Sequence, residues 1–220
     1  MTSNNSTQTP TRLLAGVDVP DTPLVNSAIA FARDHSDAYL FNHVMRSWLF
    51  AAVIARTKGQ PHDAEVLAVS ALLHDIGLTP VASGALRFEV DGANAARAFA
   101  REHSVDERRT QLIWDSIALN STPSICLHKE AEASLCVQGV AVDWGGWGFD
   151  AIPADKMASI LAEFPRLKFK QGFTQAICGI CERHPETTYD NFARDFGERL
   201  VPGYRAPSLV DALQGAPFEE

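Results

Sequence analysis

Residues 71–77 read ALLHDIG: an apolar helical run that ends in adjacent His74 and Asp75 and is closed by Gly77. A histidine near a helix C-terminus suits the helix dipole, and glycine is a common residue just past a helix end. A plain helix end therefore explains part of the pattern. It does not explain Asp75, whose carboxylate would meet the negative end of the dipole. A bound cation would offset that cost. Asp143, in GVAVDWGG, repeats the mismatch at the end of a second apolar run. His43 lies mid-helix in LFNHVMRSWLFA, among Phe41, Val44, Met45, Trp48 and Leu49, so burial and a need for a partner are expected. Two imidazoles and two carboxylates, from His43, His74, Asp75 and Asp143, fit one metal site. Neighbours on a regular helix point about 100° apart, so His74 and Asp75 can share an ion only if Gly77 unwinds the chain.

The other histidines have simpler readings. His35, His62 and His103 fall at polar helix ends and His184 in a loop. His128, in CLHKEAEA, could face the same cavity, although a surface place at a helix start is the plainer role. Cys178 and Cys181 have CxxC spacing, but the second pair that a zinc ribbon needs is missing, so buried thiols are expected.

A frame must hold these residues in place, and 220 residues suffice for one full core. A net charge of -8 and a pI near 5.3 argue against nucleic-acid or anionic-membrane surfaces, which need a cationic footprint. A small-molecule partner remains. The first twelve residues lack the apolar core of a secretory signal, and no run approaches the ~18 apolar residues of a membrane span. A cytoplasmic location is the default. Residues 1–20 read as a flexible tail and 21–220 as one helical domain with a peripheral C-terminal segment. Helices are expected over 23–35, 36–59, 62–75, from 91 or 92 to 103, 104–120, 130–143, 154–164, 169–183, 188–200 and 207–213. Leu78 to Arg87 is expected as a loop. No alternating strand pattern stands out. The apolar C-terminal helices could supply a homo-oligomer interface.

The ordered set of His43, His74-Asp75 and Asp143 resembles the HD superfamily of metal-dependent hydrolases. That signature is a histidine on one helix, a His-Asp pair ending a later helix, and a distant aspartate. The segments FNHVMRSWLFA, LLHDIGL, RFEVDGANAARAF, WDSIALN and FPRLKFKQGF are similar to the cyanamide hydratase-like branch in order and spacing, over roughly residues 25–195. The resemblance implies an all-α helical bundle with an ion in a central pocket, held by His43, His74, Asp75 and Asp143. It departs at Asn120, in IALNSTP, where many members of the branch carry a histidine. An asparagine can hydrogen-bond but cannot ligate or carry a proton as imidazole does. Its presence argues for a single ion.

A mixed nitrogen and oxygen donor set suits a divalent transition metal, Zn or Fe first, with Mn, Co and Ni open. Such an ion lowers the pKa of bound water and polarises an electrophile. Those effects serve hydration of a cyanamide-, nitrile- or amide-like carbon, and equally attack on phosphorus by an HD-type phosphohydrolase. A phosphate pocket would want cations, and Arg46 and Arg87 are the candidates, with Lys129 more distant. WGGWGFD is glycine-rich but carries Asp150 and no lysine. Phe88, Trp144 and Trp147 suit a small, weakly charged substrate, with Asn120 and Arg46 as further binding residues. Asp75 and Glu89 are the candidate catalytic carboxylates; alternatively Glu89 simply pairs with Arg87. A metal-binding module that has lost turnover is the remaining reading, motivated by Asn120.

Overall fold

The computed structural model describes residues 9–218. A short hairpin, β1 (Thr11–Leu14) and β2 (Val17–Pro20), precedes the helices. This corrects the expected tail and the expected absence of strands. Ala15 and Gly16 both take left-handed conformations (φ 49° and 76°), as a tight two-residue hairpin connection requires. Val17 and Val19 point inward and are buried in the main core, while Asp18 between them is exposed. Strands of four residues are too short for alternation to stand out. Residues 1–8 of the proposed tail lie outside the described residues.

The rest is all-α, as expected. Helix α1 (Pro23–His35) starts with Thr22 accepting from the Val25 amide and Pro23 in its first turn. Helix α2 (Ala38–Lys58) ends on left-handed Gly59, φ 59°. Helix α3 (Ala64–Leu73) is capped by Asp63, which accepts from the Glu65 and Val66 amides. Every residue of α3 from Val66 to Leu73 is buried, and α1, α2, α5 and α7 surround it. A helix apolar on all sides can only be central, so whatever follows Leu73 is delivered into the core.

Helix α4 spans Phe88–Glu102, α5 Glu107–Ala118, and α6 is a single turn, Pro123–Cys126. Helix α7 (Ala131–Gly145) follows, then α8 (Ala154–Glu163), α9 (Phe169–Arg183), α10 (Ala193–Leu200) and α11 (Leu209–Gln214). Two boundaries differ from the sequence reading. Helix α4 begins before Asp91 and Gly92, because Gly92 serves close approach rather than helix initiation: its α-carbon side faces the backbone of Gly77. Helix α10 begins at Ala193, not 188. Thr188 and Asn191 turn their side chains onto the carbonyls of Pro185 and Thr187, which competes with helix formation. No helix among the described residues is long and apolar enough to cross a membrane. The four cysteines are free thiols, and burial pushes the Cys126 thiol up to about 12.

Helices α2 and α7 make the most extensive contact of the bundle. Gly139 sits against the α2 backbone, where an added Cβ would lie 2.2 Å from the Ser47 carbonyl oxygen. One turn from each of these residues, Asp143 of α7 meets His43 of α2. The glycine thus sets the helix separation that this buried pair requires. Gly139→Ala is expected to cost about 1–3 kcal/mol by overpacking, read as a lower midpoint in chemical denaturation. A midpoint equal to wild type would show that the two helices can separate freely.

Candidate metal centre

Helix α3 gives way after Leu73 to a 3-10 turn over Ile76–Leu78. His74 keeps right-handed helical geometry (φ -61°, ψ -29°) and Asp75 moves to φ -107°, ψ 11°. This change of helical pitch, and not a left-handed glycine, turns the two side chains together. Gly77 has no positive φ. It is needed because a Cβ there would fall 1.8 Å from the Phe88 carbonyl oxygen, so its absence lets α4 close over the turn.

Hydrogen bonds assign the protons. His74 Nδ1 lies 2.8 Å from the Ala71 carbonyl, which can only accept, so Nδ1 donates and Nε2 keeps its lone pair. His43 Nδ1 lies 2.6 Å from Asp143 Oδ2 and donates to that carboxylate. The free ends then converge: the two Nε2 atoms are 3.2 Å apart. Asp75 Oδ2 lies 3.4 Å from His43 Nε2 and 3.3 Å from His74 Nε2. Asp75 Oδ2 is buried and has no hydrogen-bond partner among the described residues. Three electron-pair donors therefore face one point with no hydrogen among them.

Only a cation resolves that arrangement. A tetrahedral ion with bonds of about 2.0–2.2 Å has ligand–ligand edges of roughly 3.3–3.6 Å, close to the three observed separations. The residues present fit a divalent metal. A proton is the other candidate: burial pushes the His43 pKa down, but hydrogen bonds to Asp143 and Asp75 outweigh it and the pKa is raised. With such a proton on the rings, burial opposes ionisation of Asp75 but is outweighed, first by the charge of His74 and then by hydrogen bonding to the two rings, and its pKa is held well below the usual carboxylate range.

Three expected site residues lie elsewhere. The Asp143 carboxylate sits behind the His43 ring, away from the convergence point. It is claimed by Arg46 through both oxygens (2.7 and 2.8 Å) and by Arg166 at 2.9 Å. It orients His43, as a carboxylate behind a ligand histidine does. Arg46 is wholly buried, donates further to the carbonyls of Phe164 and Pro165, and does not line the cavity. Glu89 is wholly buried and does not line the cavity; it accepts from Arg87 and from the Ser121 hydroxyl. His128 is exposed at the surface.

A cavity of about 210 Å³ opens on His43, His74 and Asp75. Phe88, Asn120, Trp144 and Trp147 line it as expected. Ser121, Phe173 and Phe192 line it too and were not anticipated. Phe169, also unanticipated, stacks on the His43 ring at 4.4 Å. Ser121 follows Asn120 directly, and Arg166 and Phe173 lie in the quoted segment FPRLKFKQGF. Phe192 had no signal beyond being aromatic.

The HD domain family model matches residues 40–140. This chain carries an HD domain. HD domains bind divalent metals and are generally metal-dependent hydrolases. The matched span holds His43, His74 and Asp75 and stops just short of Asp143. No curated protein matches the chain.

Purified protein is expected to hold about one divalent metal per chain by elemental analysis. A His74→Ala, Asp75→Ala double variant should hold none, whereas Asp143→Asn should still bind, roughly 10–100-fold more weakly. Metal retained by the double variant would remove the HD domain's His-Asp pair from the site.

Asp143→Asn also leaves Arg46 charged and short of its buried partner, a loss of about 3–5 kcal/mol at neutral pH. Burial resists ionisation of Asp143, but Arg46 and His43 hold its pKa well below the usual range. Its stabilisation is therefore complete above the ordinary carboxylate pKa near 4 and is lost on acidification. In denaturant melts with chelator present, the gap between wild type and Asp143→Asn should narrow from pH 7 towards pH 3. A constant gap would mean that the ion pair does not carry it.

Proposed function

We propose that this protein is a metal-dependent hydratase or hydrolase that adds water to a small cyanamide-, nitrile- or amide-like molecule. The observation that carries the reading is the cavity beside the triad. Its volume of about 210 Å³ falls below the ~300–1,000 Å³ typical of drug-sized ligands. Its walls are largely aromatic and aliphatic, and no lysine or arginine is among them. A phosphate ester would want cations there. Arg46 is consumed by Asp143, and Arg87 by Glu89 with Asp190 nearby.

A bound divalent ion supplies an activated water and a Lewis acid. The chain's own residues do the rest. His43 and His74 present neutral Nε2 lone pairs. Asp75, held ionised, contributes negative charge rather than a strong base. Asp143 locks the His43 tautomer, with Arg46 and Arg166 locking Asp143. Phe88, Phe173, Phe192 and Trp144 keep bulk water from the reacting centre.

A panel on metal-loaded protein tests the reading: cyanamide, followed as urea formation, against nucleoside monophosphates, followed as phosphate release. Turnover of cyanamide alone, lost in His74→Ala, is the expected outcome. Phosphate release without urea would replace it with the phosphohydrolase reading. A bound metal with neither product would leave a metal-binding module.

A further inference from the structure

The polar atoms at the cavity wall away from the triad have a definite hydrogen-bond sense. Asn120 donates through Nδ2 to two backbone carbonyls, of His74 at 3.2 Å and of Ile117 at 2.7 Å. A carbonyl can only accept, so the amide orientation is unambiguous and Oδ1 is the end left for an occupant. Oδ1 accepts no hydrogen bond among the described residues and is not shut off from solvent. Ser121 gives its single hydroxyl hydrogen to Glu89, which is wholly buried and salt-bridged to Arg87 at 3.0 Å. The lone pairs of Ser121 Oγ are what remains. Both residues line the cavity. Trp144 and Trp147 also line the cavity, and among the described residues their indole N–H groups have no hydrogen-bond acceptor.

We infer that Asn120 Oδ1 and Ser121 Oγ form a paired acceptor for an N–H₂ group, and that they select neutral molecules bearing a primary amine or amide nitrogen. Glu89 is a positioning residue: it fixes Ser121 as an acceptor and does not touch the occupant. The inference rests on the cavity being the substrate pocket, and it deepens the proposed function by naming what the substrate must donate. An oxyanion or phosphate, which brings only acceptors, would meet like polarity at this wall. A substrate whose nitrogen is dialkylated would leave both oxygens unpaired, which a buried site penalises.

The test is a pair of titrations of metal-loaded protein, acetamide against N,N-dimethylacetamide, followed by tryptophan fluorescence from Trp144 and Trp147. Wild type should bind acetamide more tightly. Ser121→Ala and Asn120→Leu should each reduce that preference by roughly two- to tenfold, while Ser121→Thr, which keeps the hydroxyl, retains it. Comparing the preference across variants cancels the size difference between the probes, and two variants guard against one failing to fold. Equal binding in wild type, no binding of either probe, or a preference untouched in both variants would overturn the inference. Urea formation from cyanamide is scored separately, so an acceptor pair without turnover, or turnover without the preference, can each be recognised.

Discussion

Two histidine lone pairs and a carboxylate oxygen held within 3.4 Å of each other, out of water, repel unless a positive charge lies among them. That requirement organises the centre of the molecule. The imidazoles cannot rotate away, because each Nδ1 is committed elsewhere, to the Ala71 carbonyl for His74 and to Asp143 for His43. Asp143 is in turn neutralised by Arg46 and Arg166. Asp75 alone is left with an uncompensated charge, and it faces the cavity.

The fold supplies the rigidity that this repulsion demands. Helix α3 is buried on every side and cannot shift without opening the core. Gly139 lets α7 approach α2 closely enough for Asp143 to reach His43, and Gly77 lets α4 close over the turn that carries the His-Asp pair. These two glycines matter for what they lack and not for conformational freedom, since neither has a positive φ. The second apolar cluster, built from Phe169, Phe173 and Ile177 of α9 with Phe88 and Tyr204, is stacked on the His43 side of the site and supplies its dry wall.

Apart from Asp75, the charges around the site are paired locally. The arginines near the triad are spent on carboxylates, and the polar wall formed by Asn120 and Ser121 has given its hydrogens to the protein. Asn120 also does a structural task that its position in the sequence does not suggest: it satisfies the His74 carbonyl at the point where α3 ends.

Much of this was written in the chain itself. The helical periodicity and the dipole-mismatched Asp75 at the end of an apolar run are local features, so the all-α class and the set of His43, His74 and Asp75 could be read directly. The hairpin could not, because four-residue strands carry little pattern. The exact role of a charged residue was also beyond local reading. Asp143, Arg46 and Glu89 were legible as unusual, yet whether each faces an ion, a substrate or a partner depends on residues up to about a hundred positions away. Sequence determines which groups must be buried and which helices carry them. Only the tertiary structure decides which groups pair, because a buried charge is satisfied by whatever the packing of distant helices brings within hydrogen-bonding distance.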